Sequence, residues 1–355
     1  MRSVGVDPQA ALLRLPLTLR HADGRGLRLP GGPAALAFAR AVAGARGWSM
    51  GDRLALLGTA AGWWAHRFRC DPALTVDALC RRLPARVREL LVDPLCVAAL
   101  NTPAHEASAA VFLRVLHDAL LGGRGAADLL LPRRPLSELL PAPATRWLGA
   151  AGATLRLGQR VQAIDRRDAR WCVDGELFDA LVLACTAGEA ARLTATVAPA
   201  WSAAAAALRF EPIVTVYLQA LGARLAEPMM ALADGPEAPA QFAFDLGALG
   251  GQAGQFAFVV SGARRWVDAG IDRLERAVLA QARALLPAPT LLCSLAEKRA
   301  TFRCTPGLRR PGAAIAPGLF AAGDYVAGPY PATIEGAVRA GEAAVLALAG
   351  AGVRR

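Results

Sequence analysis

The sequence predicts a mixed α/β fold with a large helical part, on three observations. Apolar residues recur at helical spacing over 33–148, and the pattern shifts near Ala150 to short alternating runs. The chain then closes on a strand–turn–helix, "LFAAGDYVAGPYPATIEGAVRAGEAAVLAL", at 319–348. With 355 residues, 54% hydrophobic and 19% charged, there is material for one large or two interleaved folded domains, and a disordered chain is excluded.

The helical part divides at Gly and Pro into segments over 34–45, 50–68, 75–83, 85–100 and 106–121. "GWSMG" at 47–51 has the spacing of a nucleophile elbow, but the residues before it are helical rather than a strand. Ser49 with Asp52 three residues on reads instead as a helix cap. Trp63, Trp64 and Phe68 read as core, with a hydrocarbon tunnel or a membrane contact as the sharper alternative. Beyond Ala150, residues 153–187 read as short strands joined by tight turns, and "ALVLAC" (180–185) as a strand buried on both faces. Further strands are predicted over 212–219, 241–247, 254–262 and 290–302, with one amphipathic helix over 267–286. There is no internal repeat.

The formal net charge is +11, carried by arginine, since Lys298 is the only lysine. The arginines are scattered and no nucleic-acid signature accompanies them, so an anionic membrane surface is favoured over nucleic acid. The seven cysteines form no C-x-x-C and read as reduced core thiols. His21, His66, His105 and His117 lack ligand spacing, so no metal site is expected. No signal peptide is read, and the charge-free stretches are broken by Pro199 or rich in glycine, so no spanning helix is predicted.

The closing segment carries the chemistry. Its strand leaves Gly323 and Asp324 at a carboxyl end, where open α/β sheets place ligands. Thr333 can cap the helix, Glu335 lies in its first turn, and the amides around Ile334 and Gly336 can meet an anion or a polar ring edge. Small residues (Gly336, Ala337, Ala340, Gly341, Ala344) permit close approach. The alternative is an ordinary strand-plus-helix core element.

"LFAAGD…PATIEGAVRAGEAA" resembles the carboxyl-terminal FAD-binding motif of the flavin amine oxidase and carotenoid desaturase superfamily. "DPLCVAALNTPAHEASAAVFLRVLHDALLGGRGAADLLLPR" (93–133), "EPIVTVYL" (211–218) and "EKRATFRCTPGLRRP" (297–311) are similar to one branch of it, the hydroxysqualene dehydroxylases of hopanoid biosynthesis. The resemblance spans almost the whole chain. It implies an amine-oxidase-like FAD/NAD(P)-binding flavoprotein fold with a helical plus β-sheet substrate domain. It further implies FAD near Gly323, Asp324, Thr333, Ile334, Glu335 and Gly336, with the Val161 backbone at the adenine and Thr186 near the flavin. Asn101 and Thr102 would belong to a substrate cavity, although a turn built from Asn, Thr and Pro needs no function.

One element of the family pattern is missing. The opening strand with G-x-G-x-x-G, which seats the FAD diphosphate, has no counterpart, because "GGRGAAD" (122–128) follows a helix and "GALGGQAG" (247–254) has the wrong spacing. The amino-terminal βαβ unit is therefore expected ahead of Met1, or on a separate FAD-binding chain, or lost. On this reading residues 1–149 form a helical substrate and membrane-facing part, and 150–200 an FAD-domain β segment. Residues 201–305 form a substrate-domain sheet and helix, and 306–355 the closing FAD-binding unit. The implied reaction is reductive dehydroxylation of hydroxysqualene to squalene by a cytoplasmic enzyme peripheral on the inner membrane. A desaturase or amine oxidase of the same fold, and an inactive remnant, stay open.

Overall fold

The computed structural model describes residues 1–20, 24–233 and 235–350. Its helical part comprises Ala34–Ala43, Met50–Ala65, Val76–Cys80, Asp93–Leu100 and Ala109–Leu121. The expected cap is present: Asp52 N–H donates to Ser49 Oγ at 3.1 Å, and Ser49 N–H to Asp52 Oδ2 at 2.8 Å. The hydrogen bonds from the Ser49 backbone and side chain hold the Asp52 carboxyl below its ordinary range. Replacing Ser49 with alanine is expected to cost about 1 kcal/mol of unfolding free energy in a urea titration.

Where one helix was predicted over 85–100, the chain runs through a short α turn (Ala85–Val87), a π turn (Arg88–Val92) and an α-helix (Asp93–Leu100). Pro94 explains the difference. It lacks an amide hydrogen, and its ring would strike the carbonyl four residues back, so the turn before it widens. Two strand pairs fall outside the predicted elements: Leu12–Leu15 pairs antiparallel with Leu129–Pro132, and Thr18–Arg20 with Gly26–Arg28.

A five-stranded antiparallel sheet stands beside the helices, in the order Met229–Ala231, Phe242–Asp245, Gln255–Val260, Phe210–Gln219, Thr290–Phe302. Val214, Val216, Leu218, Phe256 and Phe258 are wholly buried on one face, packed with Leu274, Val278 and Ala282. Those last residues lie on Ile271–Ala282, within the helix predicted over 267–286. Gly270, at φ +102°, separates it from Arg264–Ala269, because that backbone conformation cannot continue a helix.

A three-stranded sheet carries the closing motif. Ala314–Ala316 pairs antiparallel with Leu319–Ala321, which pairs parallel with Leu181–Leu183. The strand expected to be buried on both faces is thus an edge strand, with Val182 37% exposed and only Leu183 buried. Residues 153–163 form no strand, and Leu157 is 85% exposed. Strand backbone needs a neighbour to satisfy its N–H and C=O groups, and among the described residues none lies alongside. Pairing resumes only with the antiparallel strands Ile164–Arg167, Arg170–Val173 and Glu176–Phe178.

The closing helix, Ile334–Gly350, touches the sheet through Ala344, its only buried residue, while Ile334, Val345 and Leu346 are largely exposed. Among the described residues no helix is long and apolar enough to cross a membrane.

Candidate functional site

Two parallel strands, Leu181–Leu183 and Leu319–Ala321, end together, and Ala322 N–H donates to Leu183 O at 3.0 Å. Thr186 and Gly323–Asp324 therefore emerge at the same end of the sheet. Thr186 caps the helix Ala187–Thr194 through Glu189 N–H. Thr333 caps the closing helix, accepting from Gly336 N–H at 3.1 Å. Glu335 is tied to Arg339 at 2.6 Å.

Gly323 is required by close packing, because a Cβ there would sit 2.7 Å from the Tyr325 ring. Tyr325 is itself buried, and its hydroxyl has no partner among the described residues. Burial pushes the phenol's pKa up, with Cys185 and Asp324 adding to the shift. Burial also pushes the Asp324 carboxyl up, against backbone N–H groups of Tyr325 and Asp324 and the charge of Arg310. Arg310 spends its guanidinium on the loop carbonyls of Asp324 and Gly328, which shapes the loop without pairing the carboxylate.

These residues fit the ring and ribityl end of FAD. They offer a half-buried carboxylate with no side-chain donor, an orphaned buried hydroxyl, and first-turn amides of Ile334 and Glu335 with no acceptor among the described residues. The diphosphate end has no cradle among the described residues. Gly125 is filled by Arg14 and Asp128, whose atoms lie 2.7 and 2.8 Å from a Cβ position there. The 247–254 glycines form a turn between two strands of the large sheet.

Val161 lies in the irregular 153–163 segment, and its carbonyl accepts from Arg192 at 2.7 Å. Asn101 and Thr102 do not line the cavity described below. Asn101, at φ 48°, donates to Glu211 O at 3.2 Å and Thr301 Oγ1 at 2.9 Å, and accepts from Gly262 N–H at 2.7 Å. Thr102 Oγ1 donates to Leu100 O and accepts from Cys304 N–H. The turn fastens the helices to the large sheet, and every side-chain polar atom is engaged by protein.

A wholly apolar cavity of about 80 Å³ lies among the helices, lined on one wall by Leu56, Ala60 and Trp63 and on another by Phe112, Leu116 and Leu120. The helix carrying the second wall also reaches the Asp324 loop. On that side Tyr330 Oη donates to Asp118 Oδ2 at 2.8 Å, and Arg114 donates to both. Burial opposes it, yet hydrogen bonds from His117 and Tyr330 and the charge of Arg114 hold the Asp118 carboxyl below its ordinary value. Arg114 and Arg339 each stand 5.2 Å from the Tyr330 ring centre. Sequence reasoning missed this cluster, since its members are 216 positions apart at the widest.

The cysteines carry no disulfide among the described residues; Cys80, Cys96, Cys172 and Cys304 are buried, whereas Cys293, read as core, is exposed on an outer strand. Burial pushes the Cys80 and Cys304 thiols up to about 12, which makes them inert. Among the described residues no three potential ligands converge on a metal position, and His21 lies outside them.

Residues 14–348 match the family described as flavin containing amine oxidoreductase. The hydroxysqualene dehydroxylase of Sinorhizobium fredii is 31% identical over 278 residues, covering 73% of this chain and 62% of that protein. That of Rhodopseudomonas palustris is 30% identical over 279 residues, covering 72% and 60%. The chain thus spans about three fifths of the length of these curated relatives. An oxidoreductase structure from Methanosarcina mazei superposes with TM-score 0.67 at 14% identity, over 94% of this chain and 80% of that one. A putrescine oxidase variant superposes with TM-score 0.58 at 15% identity, over 98% and 84%; both likenesses speak to the fold alone. The chain belongs to the flavin-containing amine oxidoreductase family, and its cofactor is FAD.

Proposed function

We propose that this chain is the substrate-binding and ring-holding part of an FAD-dependent enzyme that converts hydroxysqualene to squalene, as in hopanoid biosynthesis. The observation that carries the reading is the cavity: its wall has no polar atom, and one helix joins it to the Asp324 loop. An apolar chain can enter such a space without stranding a hydrogen-bonding group, whereas an amine or a sugar cannot. At about 80 Å³ it is far below the roughly 300–1,000 Å³ of a site for a whole drug-sized ligand, so it holds one end of a C30 chain.

Reduced FAD, when bound, supplies the hydride that replaces the allylic hydroxyl. The chain's own residues do the rest. Asp324 and the amides of Ile334 and Glu335 hold the ribityl and ring edge, and the apolar wall excludes water. The hydroxyl leaves as water, and the proton it takes comes from a general acid at the site. The diphosphate is held by a strand–G-x-G-x-x-G–helix unit outside the described residues, whose strand extends the sheet at the free edge of Leu181–Leu183. The enzyme works at the cytoplasmic face of the inner membrane.

A desaturase of the same fold would use the same cavity. An amine oxidase is disfavoured, because the Tyr330 ring is already flanked by two guanidinium groups that would repel an ammonium substrate. The test incubates the chain with FAD, dithionite and hydroxysqualene, alone and with a separate βαβ polypeptide, and analyses products by mass spectrometry. We expect weak FAD retention by the chain alone and squalene in the second arm. Hydroxysqualene recovered unchanged in both arms overturns the substrate reading, and a stoichiometrically yellow chain overturns the need for a further βαβ unit.

A further inference from the structure

The helix Met50–Ala65 is apolar on every side yet lies at the surface. After Asp52 and Arg53 in its first turn it carries no charge. Leu56, Ala60 and Trp63 face inward and line the cavity. Met50, Leu54, Ala61 and Trp64 share one outward stripe at helical spacing, with Leu57 between them partly buried against the core. Met50 is 65% exposed, Leu54 64% and Trp64 68%. A helix apolar all round belongs in a core or against lipid, and water is the wrong neighbour for its second face.

The surroundings of the stripe identify the cover. Residues 40–89 hold nine arginines against four acidic residues. Arg40, Arg46, Arg67, Arg69, Arg81 and Arg82 are all exposed, and none is in an ion pair among the described residues. Just past Trp64 the chain takes two successive left-handed residues, Arg67 at φ 52° and Phe68 at φ 54°. Phe68 is thereby buried, edge-on to His117 at 5.5 Å. That turn holds Arg67, Arg69, Arg114 and His117 around an open hollow of about 500 Å³. An exposed tryptophan at a helix end, followed by a basic hollow, is the chemistry of a bilayer interface: the indole sits at headgroup depth and the guanidinium groups meet phosphate.

We propose that the outer stripe of this helix lies in the plane of an anionic bilayer, with Trp64 and Leu54 inserted and the Arg67–Arg69 hollow on lipid phosphates. A helix of 16 residues is about 24 Å long, which suits lying in the interface rather than crossing it. Only this one helix then separates lipid from the cavity, so an apolar chain passes from the bilayer beside Trp63 without crossing water. The inference rests on the apolar-substrate reading for the role of that passage, but not for the docking.

The test is flotation of the purified 355-residue chain with phosphatidylcholine vesicles, with and without phosphatidylglycerol. Wild type is expected to float with anionic vesicles and weakly with neutral ones. Leu54→Glu with Trp64→Glu should lower the partition coefficient about tenfold or more on anionic vesicles. Arg67→Glu with Arg69→Glu should remove most of the difference between the two vesicle types. Brominated lipid should quench the fluorescence of wild type more than that of Trp64→Phe, which keeps the fold and most of the apolar surface. Equal flotation of wild type and the Leu54/Trp64 variant, or equal quenching, overturns the proposal. So does a wild-type dimer in sedimentation velocity that the Leu54/Trp64 variant abolishes while neither protein floats, since the stripe would then face a second copy. Flotation is read without substrate, so vesicle binding with no squalene formed would leave docking intact and refute the reaction.

Discussion

Replacing Asn101 with alanine is expected to lower the unfolding free energy by about 3 kcal/mol, measured as a fall in the urea midpoint. Two costs combine. Alanine in the left-handed conformation that Asn101 holds at φ 48° costs about 1–2 kcal/mol. Losing Oδ1 strands the part-buried Gly262 amide, which costs about 1 kcal/mol, the low end of the range for an unpaired donor. Glu211, buried and paired with Arg264, also loses the donor to its carbonyl, so the start of its strand loosens with it. Asn101→Gly separates the two costs: it permits the backbone and should recover about 1 kcal/mol. If alanine and glycine leave the midpoint unchanged, the turn is not the fastening that its hydrogen bonds describe.

Asp324→Asn is expected to move stability and cofactor affinity in opposite directions. Burial raises the pKa of this carboxyl, so the native state binds its proton more tightly than the unfolded chain does. Its contribution to stability is therefore present at acid pH and lost as pH rises through the native titration. The variant carries no charge, so it should match wild type below the ordinary carboxylate range. Above the native titration it should gain about 1 kcal/mol on wild type. Affinity should go the other way, because a hydrogen bond to a charged acceptor contributes about 1.5–3 kcal/mol, or more than tenfold in affinity. Riboflavin titration of the full chain, read by quenching of flavin fluorescence, measures the ring and ribityl end alone. A variant that binds riboflavin as wild type does removes Asp324 from the cofactor site.

The parts of the fold legible in the sequence were those written in short-range pattern. The strand over 212–219 alternates cleanly, and the cap at Ser49 and the closing strand–turn–helix each lie within one short segment. The rest depended on neighbours distant in the chain. Residues 153–163 have strand-like alternation, but a strand is made by its partner, and the alternation cannot supply one. Tyr325 and the Arg114–Asp118–Tyr330 cluster meet only after folding, so no local spacing announced them. The cavity did leave a trace. Trp63 and Trp64 read as core, with a hydrocarbon tunnel or membrane contact as the alternative, and adjacent helix positions point about 100° apart, so one faces the cavity and the other solvent.

The parallel pairing of Leu181–Leu183 with Leu319–Ala321 joins segments 138 residues apart. During synthesis at about 5–20 residues per second, the first strand waits roughly 7 to 28 s on the ribosome before the second exists. Throughout that interval Leu181, Val182 and Leu183 lack their partner strand Leu319–Ala321, whereas the helices before them can already assemble and the large sheet is completed within it. The cofactor end of the molecule is thus the last to be born, and in a crowded cell it is the end a chaperone would need to guard.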